Sequence, residues 1–323
     1  MSDIKITHLV LSGGGMRGVM FIGGLRFLYL EKLHKNITHI SANSIGSFIG
    51  LMIAFKLTIE EMEQILYDMK DDNILCFIPI KNYIRFITEY GFFSIELFMG
   101  HLIKIIKVKY PDLGNDITFK EVSKRFGINL YISTTNINRC ENRIFSIDNT
   151  PDMSVYRACE ASMSVPLLFK PIKIEDEYYY DGALTNNFPI KIFSGVPKEN
   201  ILGMILYSDN KKNEEDLMKN KKINIFFIFK QLFNIFDILR TQQVLLKQIN
   251  SSEIEYYYMP PIITNQKTLN FKLDKMGIKM ILTNSQIENM IYAGYESMSK
   301  FIDKRRNILK KEYEKRLEYE DIK

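Results

Sequence analysis

The sequence predicts a single α/β domain, with a mostly parallel central sheet and helices on both of its faces. Three observations carry this expectation. Two short apolar runs, residues 4–11 and 38–43, each pass through a turn of small residues into a long apolar-periodic segment. That repeated strand–turn–helix order belongs to a parallel sheet covered by helices. With 323 residues, 46% of them hydrophobic and 25% charged, the chain can bury a sizeable core. Neither an internal repeat nor a linker divides it.

Residues 4–11 form the first buried strand. Residues 16–33 follow as a helix, with Val19, Ile22, Leu25, Leu28 and Leu33 along one face. Residues 38–43 give a second short strand, and 44–55 a nearly uncharged helix buried all round. Thr58 opens a helix to residue 69, where Thr58-Ile59-Glu60-Glu61 spells a capping box. Residues 73–109 are apolar and aromatic; broken by Pro79 and turned at Gly91, they hold two or three helices. A short helix is expected at 118–125, strands at 129–135 and 143–146, and a short helix at 154–163 that Pro166 ends. Further strands are expected at 177–180 and 201–207. Residues 209–222 are polar and charge-dense, the best candidate for a mobile loop. A long helix at 223–249, a last strand at 255–261 and a helix at 285–319 complete the chain. The expected domain spans residues 1–302, and 303–323 form a charged helical extension suited to solvent.

Composition narrows the function. A net charge of +5 is mild for this length and unlike a dedicated nucleic-acid binder. Cys76, Cys140 and Cys159 show no paired spacing, which argues for a reducing compartment and against a disulfide framework or zinc site. The polar N-terminal segment is unlike a signal peptide, and no run of about 18 apolar residues predicts a spanning helix. A cytoplasmic protein is expected.

Three segments carry chemistry. Leu9-Val10-Leu11-Ser12 runs into Gly13-Gly14-Gly15-Met16-Arg17-Gly18, a turn whose uncovered N–H groups open a helix and favour negative charge. That charge is either a bound phosphate or a transition-state oxyanion. A dinucleotide-binding turn shares the spelling, but the acidic residue expected at the end of the next strand is replaced by Asn43-Ser44. A phosphate loop would need Gly-Lys-Ser/Thr, which is missing. Ser41-Ala42-Asn43-Ser44-Ile45-Gly46 has the shape of a nucleophile elbow, with small residues two positions either side of Ser44. The plain alternative is that Ser44 caps a helix. A serine nucleophile needs a base, and the histidines stop at His101; His8 and His34 are expected to face solvent, and His39 to point away from the turn. Either Ser44 is not catalytic, or its base is a carboxylate. Asp181, at the end of an aromatic strand and the start of an Asp-Gly turn, is the late acid; its plain alternative is a turn residue bonding its own backbone.

In order, Gly13-Gly14-Gly15-Met16-Arg17-Gly18, Ala42-Asn43-Ser44-Ile45-Gly46 and Asp181-Gly182-Ala183 resemble the three motifs of the patatin-like phospholipases. The segments Ala161–Pro171 and Asn187-Phe188-Pro189, and Ala293-Gly294-Tyr295, extend the likeness over roughly residues 6 to 302. Ala42 departs from the family's first elbow glycine. The resemblance implies a patatin-like fold and a Ser44–Asp181 dyad that cleaves glycerolipid acyl esters. It also implies an oxyanion site at Gly13, Gly14, Gly15 and Gly18, with Arg17 bracing the loop or meeting lipid phosphate. No metal or other cofactor is implied; the expected partners are membrane lipid met at the surface and, as in some relatives, a protein activator. Two alternatives stay open: a catalytically silent lipid-binding or scaffold protein, which Ala42 favours, and acyl transfer to another lipid. The apolar face of 223–249 reads as core or as a lipid-contact lid.

Overall fold

The computed structural model describes residues 4–71, 78–79, 88, 90–207, 262–263, 271–274, 277–280 and 283–320. The first apolar run forms β1 (His8–Leu11), and a 3-10 turn at Gly15–Gly18 leads into α1 (Val19–Leu30). Next come β2 (His39–Asn43), α2 (Ile45–Ala54) and α3 (Ile59–Asp71). The capping box forms as spelled: the Thr58 N–H donates to Glu61 Oε2 at 2.7 Å and the Glu61 N–H to Thr58 Oγ1 at 3.2 Å. After β3 (Ile78–Pro79) and β4 (Gly91–Phe93) come α4 (Glu96–Lys109) and α5 (Phe119–Phe126). The hairpin β5 (Asn129–Asn136) and β6 (Glu141–Ser146) precedes α6 (Val155–Met163). Three short strands follow, β7 (Leu167–Phe169), β8 (Ile172–Ile174) and β9 (Glu177–Asp181), then β10 (Ile201–Met204) and β11 (Leu206–Tyr207). Last come β12 (Ile262–Ile263), β13 (Phe271–Asp274), β14 (Gly277–Met280) and α7 (Asn284–Glu320), which crosses residue 302 in one piece. The loop expected at 209–222, the helix at 223–249 and the strand at 255–261 lie outside the described residues.

A seven-stranded sheet runs β10-β1-β2-β5-β9-β8, with β6 also on β5. β10, β1, β2 and β5 are parallel, while β6 and β9 pair antiparallel to β5 and β8 antiparallel to β9. One detail of register places the site. β6 occupies one edge of β5 from Tyr131 to Asn136, so β2 and β9 must share the other edge. There Asn43 stands opposite Ser133, and Asp181 opposite the next residue, Thr134. The ends of β2 and β9 therefore meet.

The registers also align one apolar row across the sheet: Leu202, Leu9, Ile40 and Leu130, with Met204, Leu11, Ala42 and Ile132 beside it. This face joins the helical side chains Phe21, Leu25, Phe48 and Met298 in the main core. The opposite face carries a smaller cluster of Val10, Tyr131 and Ile201 with Phe188 and Phe193. The 3-10 segment Ile190–Phe193 contributes the last of these.

Candidate active site

β2 passes into α2 through one residue. Ser44 has φ 53° and ψ −129°, a backbone region that side chains avoid, and a strained turn of this kind holds only when its surroundings over-determine it. Gly46 shows one such constraint: a Cβ there would sit 2.7 Å from the carbonyl oxygens of Leu11 and Ser12. At Ala42 the missing glycine is offset across the interface. Gly50 of α2 faces it, and even a Cβ on Gly50 would stand 3.6 Å from the Ala42 methyl. Ser44 makes no side-chain capping hydrogen bond, so the plain capping role is not what holds it here. Its N–H donates instead to Ser162 Oγ at 2.8 Å.

Ser162 is fully buried at the end of α6, and its hydroxyl donates to the Ser133 carbonyl at 2.7 Å. With that proton committed, the 2.8 Å contact to Ser47 Oγ is one in which Ser47 donates. One hydroxyl thus joins the elbow, α2 and β5. The helix N-terminus at Ser44 adds a partial positive charge, which favours an alkoxide.

Asp181 is 1% exposed. Its Oδ1 accepts from the Ala183 N–H at 2.8 Å and from Asn43 Nδ2 at 3.3 Å. The turn role is therefore present, on the same carboxylate that the candidate site would use. Asn43 Nδ2 also donates to Asn187 Oδ1 at 3.2 Å, and the Asn187 carbonyl accepts the Gly13 N–H at 3.3 Å. The sheet thereby brings Ser44, Asp181 and the glycine turn to one place. A Cβ on Gly13 would stand 3.1 Å from Ser44 Cβ.

Within the turn the residues differ. The Gly13 N–H is engaged by Asn187, whereas no acceptor lies on the Gly14 or Gly15 N–H among the described residues. Gly15 has φ 56°, where glycine is at ease. Arg17 Nε donates to the Gly14 carbonyl at 3.3 Å and braces the turn from below. Gly18 packs: a Cβ there would meet Ile45 Cγ1 at 2.3 Å.

His8, His34 and His39 lie elsewhere. His8 and His39 begin β1 and β2 side by side, with rings stacked at 4.4 Å and Phe193 edge-on to His8. His39 lies five residues before Ser44, about 16 Å along an extended strand. His8 and His34 are half-buried and not solvent-facing as expected; His34 stacks on Tyr29 at 3.8 Å. Burial, and secondarily His39, push His8 down to about 4. No three His, Cys, Asp or Glu side chains gather into a metal-holding group among the described residues.

Asn43 and Ser162 carry these links, and the sequence assigned neither a role. Their only sequence signal is position: one precedes Ser44, and the other lies in the Ala161–Pro171 segment.

Residues 9–194 match the family model described as patatin-like phospholipase. The chain belongs to the patatin-like phospholipase family. Among relatives, it is 35% identical over 229 residues to the probable lipid hydrolase 463L of Invertebrate iridescent virus 6, covering 68% of this chain and 77% of that protein. It is 27% identical over 278 residues to protein R571 of Acanthamoeba polyphaga mimivirus, covering 85% and 89%. Among solved structures, VipD from Legionella pneumophila superposes with a TM-score of 0.55 at 16% identity, over 93% of this chain and 67% of that one. That last likeness concerns the patatin-like fold.

Proposed function

We propose that the protein is a lipid acyl hydrolase working through a Ser44–Asp181 dyad. The observation that carries this reading is the junction on β5, where the strained Ser44 turn and the Asp181 carboxylate end adjoining strands. Family membership supports it, as does the probable lipid hydrolase among its relatives. Ser44 Oγ attacks the ester carbonyl carbon and passes its proton to Asp181. The Gly14 and Gly15 amides, on a turn held by Arg17, receive the oxyanion. Asp181 then protonates the leaving alkoxide, and an acyl-serine remains. Water gives a proton to Asp181 and attacks this ester; the acyl–Oγ bond breaks, Asp181 returns the proton to Ser44 Oγ, and the fatty acid leaves.

The proposed substrate is a glycerolipid ester met at a membrane surface, a reading that family membership and the probable lipid hydrolase among the relatives support. The silent-scaffold alternative leaned on Ala42, and Gly50 opposite it weakens that ground. Hydrolysis of a p-nitrophenyl ester and labelling by a fluorophosphonate probe test the proposal. Ser44→Ala and Asp181→Asn should lose both signals, by about 1,000-fold or more for Ser44→Ala. Equal rates in wild type and Ser44→Ala would reject the enzyme reading.

A further inference from the structure

The structure assigns Asn43 a positioning role: its carboxamide clamps the Asp181 carboxylate and ties it to the glycine turn. This rests on the dyad proposed above and deepens it. Asn43 is fully buried, and both of its amide protons are committed, one to Asp181 Oδ1 and one to Asn187 Oδ1. Reversing the carboxamide would turn Asn43 Oδ1 toward an ionised carboxylate, so the donor orientation follows from charge.

Two glycines make room for the clamp. A Cβ on Gly182 would stand 2.3 Å from Asn43 Oδ1, and one on Gly13 would stand 2.7 Å from Asn43 Nδ2. One glycine follows Asp181; the other begins the turn beside Ser44. Asn43 therefore sits at the contact of all three candidate segments. Through the Asn187 carbonyl and the Gly13 N–H, the clamp reaches the turn that carries the Gly14 and Gly15 amides.

A chemical consequence follows. Asp181 must be ionised to accept the serine proton, and it sits in a nearly dry site. Asn43 Nδ2 and the Ala183 N–H, both uncharged donors, meet its Oδ1, while Thr135 Oγ1 and the Ser164 carbonyl hold the Asp181 backbone carbonyl and N–H. Hydrogen bonds to a carboxylate favour its ionised form. Asn43 thus fixes one carboxylate oxygen and keeps the base available at lower pH. Because Asn43 bonds to the base and not to substrate, it is a positioning residue.

The test uses the full chain carrying Asn43→Ala and, as an isosteric second variant, Asn43→Asp. Fluorophosphonate labelling of Ser44 is followed against pH. Its acid limb should move up by about one pH unit in Asn43→Ala, the size of one charge-assisted hydrogen bond. It should move further in Asn43→Asp, which adds a like charge. Labelling should recover toward the wild-type rate above the shifted limb. A purely structural role would lower labelling at every pH and leave the limb in place.

Carboxyl 13C NMR of the same proteins follows Asp181 without turnover, its resonance identified by loss in Asp181→Asn. Upward movement of that titration together with the limb supports the clamp. An unmoved titration in folded variants overturns the clamp, and leaves the hydrolase reading standing if wild type labels. A moved titration with no labelling of wild-type Ser44 keeps the clamp and rejects the hydrolase reading.

Discussion

At Ser44 the main chain does the positioning. A φ of 53° turns the peptide so that its N–H reaches Ser162, a partner that a helical residue would not need. Gly13 packs closely against this turn. A methyl there would face Asn187 Oδ1 at 2.6 Å, Asn43 Nδ2 at 2.7 Å and Ser44 Cβ at 3.1 Å. All three contacts belong to the site, so Gly13→Ala should displace the turn from the elbow. Probe labelling of Ser44 should fall about 100-fold, the usual cost of misplacing reactive groups by about 1 Å. Labelling within twofold of wild type would mean that the turn does not position the reaction. Ser44, Asp181 and the glycines could be singled out as candidates in the sequence because each lies in a local motif. Asn43, Ser162 and the engagement of the Gly13 N–H could not, since each depends on pairing between distant segments; Asn43 and Asp181 are 138 positions apart.

Among the elements, the periodic helices and most strands of four or more residues were legible, and the three-residue strands were not. α2 is buried nearly all round, as its uncharged sequence implies, and the Thr58 capping box forms. The helix expected at 16–33 instead begins as a 3-10 turn and ends at Leu30. β4, β7 and β8 have three residues each, too few to show a period, and hydrogen bonds to neighbouring strands define them. The motif Ala293-Gly294-Tyr295 gains a physical meaning where α7 crosses α1. A Cβ on Gly294 would stand 2.0 Å from the Met20 carbonyl oxygen, and one on Gly23 would stand 1.9 Å from that of Ile291. The two backbones touch reciprocally, and Tyr295 meets Phe27 edge-on beside them at 5.5 Å. Gly294→Ala must push the helices apart and should cost roughly 1–3 kcal/mol by overpacking. A lowered urea midpoint with an unchanged slope would show it; an unchanged midpoint would mean that the helices separate freely.

Across the whole molecule, the parallel pairing of β1 and β2 was legible and the antiparallel pairings were not. β1 and β2 are followed by helices and announce a parallel pair, whereas β8 and β9 join the sheet by a short turn among aromatic residues. The half-buried pair His8 and His39 makes global stability respond to acid. The unfolded chain takes up a proton at His8 near pH 6.5, while the folded chain does so only near 4. Between those values the unfolded state binds more protons, so stability falls as pH drops through the window. Burial lowers His34 and His39 too, although Asp148 pulls His39 the other way. The urea midpoint should therefore drop between pH 7 and 4.5 by more in wild type than in His8→Asn. Equal drops would assign the acid response to other groups. At this same scale, the strand β5 acts as a ruler. Because β2 and β9 abut along one edge, the spacing of the Ser44 turn and Asp181 is gauged by a single peptide unit, Ser133–Thr134. Outer loops between the two groups can grow or shrink without altering that spacing. One residue inserted into β5 would slide them apart.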